Sequence, residues 1–287
     1  MTRYSALLLA LLISLLVRFP GHGQAPTHAA PSAPLAIGET FTLTSSTLGE
    51  TRRINVYLPP GYEKSAGPVP VLYMPDGGLA EDFLHVAGLV QVSVGNGTMR
   101  PFLLVGIENT ERRRDLTGPT TNAQDRKIAP RVGGAASFRK FIRTELMPVI
   151  RQRYRTTGET AVVGESLAGL FIVETFLLEP DLFDSYLAFD PSLWWNDEYL
   201  VHHVDSLLRT RTYANKHLYL ATSDEPRIMA STQRLTRLLE KKPVAALSWH
   251  YDPMPAETHG TIYHPAALKA FRLVLKPRQP PLSPLAR

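Results

Sequence analysis

A serine set among small residues carries the first chemical signal in this chain. The segment Ala161-Val162-Val163-Gly164-Glu165-Ser166-Leu167-Ala168-Gly169-Leu170 passes from a short apolar run through Gly-x-Ser and small residues into the helix-like stretch 171–178. That is the pattern of a nucleophile elbow: a strand stops, the chain turns sharply, and a serine is held exposed at the start of a helix. Small neighbours are needed because the strand and the helix cross closely. Ala168 stands where the pattern has its last glycine, and its extra methyl group favours the helix that starts there. A plain strand-to-helix turn with a capping serine would read the same way locally. The partners of Ser166 therefore decide.

A serine hydroxyl at neutral pH needs a base to take its proton, usually histidine, and an acid to orient that histidine. In an open α/β sheet these follow the serine in the order acid, then histidine, each in a loop at the carboxyl end of a strand. Nine histidines are available. His22 and His28 fall in the N-terminal leader, His85 in a predicted helix, His202 and His203 on a helix surface, and His217 and His250 within predicted strands. His259 follows the last predicted strand in Glu257-Thr258-His259-Gly260 and precedes the final helix, and Gly260 would permit an unusual turn beside it. His264 is the second choice, next to Pro265, where that helix is predicted to start. The acid is expected after the strand at 217–221, where Glu225 is favoured and Asp224 is close behind. Either could instead be a helix N-terminal acid beside Pro226. A developing oxyanion needs two backbone N–H donors. Leu167 is expected to give one, and Gly77 or Gly78 of Asp76-Gly77-Gly78 the other, although a simple tight turn has the same sequence.

These residues need a scaffold. Residues 41–43 and 53–57 alternate apolar and polar side chains, as an antiparallel pair does. Apolar runs at 69–74, 102–107, 186–189, 217–221 and 244–251 read as strands, and the segment 109–134 as a long loop. Helical spacing covers 136–154, with Phe138, Phe141, Ile142, Leu146 and Ile150 on one side, and further helices are expected near 197–208, 227–241 and 265–275. Strands alternating with helices predict an α/β fold: a mostly parallel central sheet with helices on both faces and antiparallel N-terminal strands. The sequence holds no Gly-rich phosphate loop and no metal-binding run, so neither a metal nor an organic cofactor is expected.

The chain has 287 residues, 44% apolar and 20% charged, with a net charge of +5. Its basic residues are scattered and no basic aromatic module is present, which argues against nucleic acid as a partner. Arg112-Arg113-Arg114 is the dense basic spot. Arg3, the apolar run 6–17 and Gly23-Gln24-Ala25 read as a signal peptide cleaved after Ala25. The apolar run is short for a membrane span. The organisation expected is a signal peptide at 1–25, a Pro/Ala/Ser-rich leader at 26–35, one catalytic domain at 36–278 and a Pro-rich tail at 279–287. With no cysteine the protein has no disulfide and no lipid-bearing thiol. A periplasmic or secreted location is expected, without stable membrane association.

Several segments, in order, resemble a known family. They are Val71-Leu72-Tyr73-Met74-Pro75-Asp76-Gly77, Val105-Gly106-Ile107-Glu108-Asn109-Thr110 with 112–117, 138–154, 164–171, Phe189-Asp190-Pro191-Ser192-Leu193-Trp194-Trp195-Asn196, and His259-Gly260. Together they cover most of residues 40–275. The chain resembles the putative-esterase (esterase D-like) branch of the α/β-hydrolases, which includes enterochelin-esterase-like trilactone hydrolases. The resemblance implies Ser166 as nucleophile, His259 as base and Glu225 as acid, although some relatives work largely with a Ser-His pair. It also implies that Arg112 lies near an anionic substrate. Trp194 and Trp195, just past a strand end, either wall the substrate pocket or pack the core. The function expected is that of an exported serine carboxylic-ester hydrolase acting on a small-molecule ester through an acyl-enzyme. The ester is a siderophore trilactone or another small ester. An acyltransferase with the same serine and a non-catalytic binding protein on the same scaffold are the alternatives.

Overall fold

The computed structural model describes residues 32–241 and 244–278. The expected signal peptide, most of the leader and all of the Pro-rich tail lie outside the described residues. The chain divides into residues 1–36, of which 32–36 form no regular element, and residues 37–287.

Eight strands among the described residues form one sheet: β1 Glu39–Ser45, β2 Glu50–Tyr57, β3 Val69–Pro75, β4 Leu103–Ile107, β5 Thr156–Glu165, β6 Ser185–Phe189, β7 Lys216–Thr222 and β8 Leu247–Pro253. Their order is β1-β2-β4-β3-β5-β6-β7-β8. The pairs β1/β2 and β2/β4 are antiparallel, and the other pairs are parallel. The central strands read as continuous apolar runs because both faces are covered. Alternate residues go to opposite layers. Val71, Tyr73, Val162 and Ala188 join the core under Phe138, Phe141, Phe171 and Val204. Leu72, Met74, Val163 and Phe189 join the core under Phe83, Val90, Ala267 and Phe271.

The helices are α1 Phe83–Gly95, α2 Arg112–Asp115, α3 Ala135–Phe141, α4 Met147–Arg153, α5 Leu167–Leu178, α6 Trp195–Arg209, α7 Pro226–Lys241 and α8 Tyr263–Val274. The helix expected over 136–154 is α3 and α4 joined through a π-helical turn, Ile142–Leu146. The segment expected as one long loop, 109–134, contains α2 and a 3₁₀ turn, Asp125–Lys127, and is tied down at several points. The buried Arg52 pairs with Asp115, the Arg114 N–H groups bond Glu50 and Asp115, and the Gly134 N–H donates to the Arg114 carbonyl at 2.7 Å.

The start of α6 departs from a regular helix. Asn196, Asp197 and Glu198 have φ of 49°, 51° and 59°. Three successive left-handed residues other than glycine are costly and persist only where surroundings hold them. Here the Asn196 N–H donates to Asp125 Oδ2 at 2.7 Å, and the Asn196 side-chain oxygen accepts the Thr121 N–H at 2.9 Å. The Asn122 amide donates to Asp197 at 2.7 Å. The loop before α3 thus braces the turn that follows β6.

Candidate active site

Strand β5 delivers Ser166 to the carboxyl edge of the sheet, where φ 63° and ψ −118° turn the chain straight into α5. An L-residue pays about 1–3 kcal/mol for such a backbone, so the turn must be held from outside. The Ser166 N–H donates to the Phe189 carbonyl at 3.0 Å, and the Ser166 carbonyl accepts the N–H groups of Leu170 at 2.9 Å and Ser192 at 3.1 Å. The small residues have specific reasons. A Cβ on Gly164 would lie 2.6 Å from the Ala168 Cβ, and one on Gly169 would lie 2.8 Å from the Phe189 carbonyl oxygen. Alanine fits at 168 because residue 164 lacks a side chain.

His259 stands in the loop between β8 and α8, with its Nε2 3.1 Å from Ser166 Oγ. Its Nδ1 lies 2.9 Å from Asp190 Oδ2. A carboxylate only accepts, so this contact places the proton on Nδ1 and leaves Nε2 to accept the serine proton. Asp190 follows β6 directly, at φ 40°, and is fully buried. Its carboxylate also takes the Ser223 N–H at 2.6 Å on Oδ1 and the Ser223 hydroxyl on Oδ2. Ser223 directly follows β7, so the strand end where an acid was expected instead supplies two donors to the carboxylate that follows β6. The hydrogen bond to Asp190 raises the His259 pKa above the usual imidazole value. Burial opposes this, and the charges of Glu165, Asp190 and Glu225 add to it.

A second carboxyl faces the same nitrogen. Glu165 Oε1 lies 3.1 Å from His259 Nδ1, but the Nδ1 hydrogen is directed at Asp190, and Glu165 Oε1 is a buried atom without a hydrogen bond. Burial pushes the Glu165 pKa up to about 8. His259 and Arg112 pull it down, while Asp190 and Asp82 push it further up.

Several expected site residues lie differently. Glu225 and Asp224 do not touch the imidazole. Glu225 Oε1 accepts the Arg227 N–H at 3.2 Å at the start of α7, and the Asp224 N–H donates to the Glu257 carbonyl at 2.9 Å. The Gly77 N–H donates to the Ile107 carbonyl at 3.0 Å, and the Gly78 N–H to Glu81 Oε2 at 2.7 Å, so both amides are engaged. The Leu167 N–H opens α5, where a helix offers no internal acceptor. Gly260 has no left-handed backbone and open space where a side chain would stand, so its turn does not require glycine. His264 stacks on His85 with ring centres 5.0 Å apart. Trp195 is buried and donates through Nε1 to the Gly118 carbonyl at 2.8 Å, whereas Trp194 is half-buried with the Arg227 guanidinium 4.9 Å over its ring. Arg112 makes a two-point pair with Asp76, at 2.7 and 2.8 Å.

Sequence reasoning missed Asp190 and Ser223. Asp190 was within the family-like segment, directly after the strand beside the serine strand, and that position was the available signal. Glu165, Asp190 and His259 each offer an atom within 4.8 Å of the others, a spacing that would also suit a metal ion. The ring nitrogen among them is the Nδ1 that donates to Asp190, so the group is arranged to share a proton.

Residues 45–256 match the sequence profile described as putative esterase. The chain is 25% identical over 285 residues to the ferri-bacillibactin esterase BesA of Bacillus subtilis, covering 90% of this chain and 96% of that one. It is 29% identical over 209 residues to the siderophore triacetylfusarinine C esterase of Aspergillus fumigatus, covering 66% of each. An IroE-like serine hydrolase from Shewanella oneidensis superposes with a TM-score of 0.76 at 30% identity, over 83% of this chain and 80% of that one. The eight-stranded sheet is that of the α/β-hydrolases, and the chain belongs to the putative esterase family, as a carboxylic ester hydrolase.

Proposed function

We propose that this protein is an exported serine hydrolase that opens siderophore esters through an acyl-enzyme. The continuous line from Ser166 Oγ to His259 Nε2 at 3.1 Å, and from His259 Nδ1 to Asp190 Oδ2 at 2.9 Å, carries the reading. His259 takes the serine proton as Oγ attacks the ester carbonyl, and Asp190 stabilises the imidazolium that forms. The carbonyl oxygen becomes an oxyanion that accepts from the Leu167 N–H. The tetrahedral intermediate then breaks its C–O bond, and His259 gives the proton to the leaving alcohol. Water, deprotonated by His259, attacks the acyl-Ser166, and the acid leaves with Oγ reprotonated.

The substrate class rests on the relatives, whose names specify esters of ferri-bacillibactin and triacetylfusarinine C. Arg112 is placed for an anionic ligand by its charge, which reaches Glu165 beside the nucleophile while Asp76 holds its guanidinium. Export is supported by the N-terminal sequence pattern; no helix among the described residues is long and apolar enough to cross a membrane. The test is incubation of the purified protein with ferric and metal-free siderophore triesters, followed by mass spectrometry. Linear products carrying one added water per opened ester, absent with Ser166→Ala, are expected. Intact triesters after exposure to folded wild-type protein would overturn the substrate assignment.

A further inference from the structure

The residue just before the nucleophile presents an unusual arrangement, in which two carboxyl groups meet at one imidazole N–H. Asp190 takes the hydrogen at 2.9 Å and has two further donors from Ser223. Glu165 Oε1 lies 3.1 Å from the same nitrogen, buried, and receives no hydrogen bond. Two carboxylates sharing one site cannot both ionise cheaply, and the one without donors keeps its proton. The groups facing Glu165 are His259 and Asp190, Arg112 on α2, Asp82 before α1 and the buried Tyr263 on α8. Arg112 is the one fixed cation among them, and Asp76 already holds its guanidinium.

We propose that Glu165 is a positioning residue that works in its neutral form, and that its deprotonation sets an alkaline limit on activity. This rests on His259 acting as base. While Glu165 is neutral, one negative charge sits behind the imidazole and none sits beside the forming oxyanion. When Glu165 releases its proton to solvent, a second anion faces Nδ1, so the imidazolium holds its proton more tightly and hands it less readily to the leaving alcohol. The new charge also opposes the negative charge developing on the adjacent Ser166 adduct. Burial, the largest influence on Glu165, puts this transition near pH 8.

The test is kcat/KM against pH, from 5.5 to 9.5, for a neutral alkyl ester such as ethyl butyrate, whose leaving alcohol has to take a proton. Wild type is expected to rise as the imidazole loses its proton and then to fall, reaching a rate about ten-fold below its maximum at the alkaline end. Glu165→Gln, neutral at every pH, is expected to keep the rise and lose the fall. A wild-type plateau to pH 9.5, or a Gln variant that keeps the fall, would overturn the proposal. Loss of the acid-side rise as well would instead remove His259 as base. If Glu165→Gln does not fold, the Nδ1 proton resonance of wild type serves. A shift between pH 7 and 9.5 that is separate from the ring's own titration, followed at the Cε1 proton, supports a second ionising carboxyl at this nitrogen, and no shift beyond the ring's own titration overturns it.

Discussion

Replacing Asp190 by Asn tests the hydrogen-bond line behind the serine. Three donors converge on the two Asp190 oxygens: the Ser223 N–H, the Ser223 hydroxyl and His259 Nδ1. Asparagine has a single side-chain oxygen. The Ser223 N–H can only donate, so that oxygen must stay where Oδ1 is, and the amide NH₂ then takes the place of Oδ2. The Ser223 hydroxyl can rotate to accept. His259 Nδ1 can also accept, but only by moving the ring proton to Nε2, where it faces Ser166 and removes the base. A wrong tautomer of this kind lowers kcat by about 10⁴ in a serine triad, or about 5 kcal/mol. Glu165 at 3.1 Å gives the imidazole a substitute acceptor, so the loss here is set at about 10³ to 10⁴. Glu225 reaches His259 through its charge alone, so Glu225→Gln is expected to cost less than about three-fold. The assay is steady-state hydrolysis of 4-nitrophenyl butyrate, with urea melts to establish that each variant is folded. A folded Asp190→Asn enzyme within about ten-fold of wild type, or a Glu225→Gln loss of equal size, would refute the reasoning.

Three further outcomes follow from the same contacts. Gly169→Ala should destabilise the fold by about 1–3 kcal/mol and lower kcat, because the new methyl group meets the Phe189 and Pro191 backbone; Gly88→Ala, in open space on α1, should instead be neutral or stabilising in the same urea titrations. The Asp82 pKa is pushed up to about 6, by burial first and then by Asp76 and Glu81. The folded state therefore binds this proton more tightly than the unfolded chain does. That contribution is full below pH 3.8 and is lost as pH rises through 6, so Asp82→Asn should stabilise the fold against urea at pH 8 but not at pH 4, by about 1 kcal/mol after allowing for solvent screening. Arg112→Ala leaves Asp76 without its two-point partner and should cost about 1–3 kcal/mol in urea unfolding. It should also raise KM for an anionic ester more than for a neutral one.

The sheet was largely legible because its central strands are buried on both faces and so appear as unbroken apolar runs. Ser166 and His259 were legible through local pattern and chain order, and the structure brings them to 3.1 Å. The position of the acid was not, since β6 and β7 are both followed by acidic residues, Asp190 after one and Asp224 and Glu225 after the other, and local sequence cannot tell which carboxyl turns inward. The two ends are related by the Ser223 bonds to Asp190, a contact across 33 residues. Glu225 followed the alternative its own sequence already offered, that of a helix-start acid beside Pro226. Gly77 and Gly78 have the composition of an oxyanion loop, but their N–H groups meet Ile107 and Glu81, partners fixed by tertiary structure. The left-handed run at 196–198 was not foreseen, and 197–198 were read as the start of a plain helix, because the residues that force the turn lie in a distant loop. The state of Glu165 depends on burial and on charges from four other elements, none of them adjacent in sequence.

The central claim, an activated Ser166, is tested most directly by treating wild type and Ser166→Ala with a fluorophosphonate and recording intact mass. One adduct is expected on wild type, located on the peptide containing Ser166, and none on the variant. A folded wild-type protein that takes no adduct, or an equal adduct on Ser166→Ala, would contradict it.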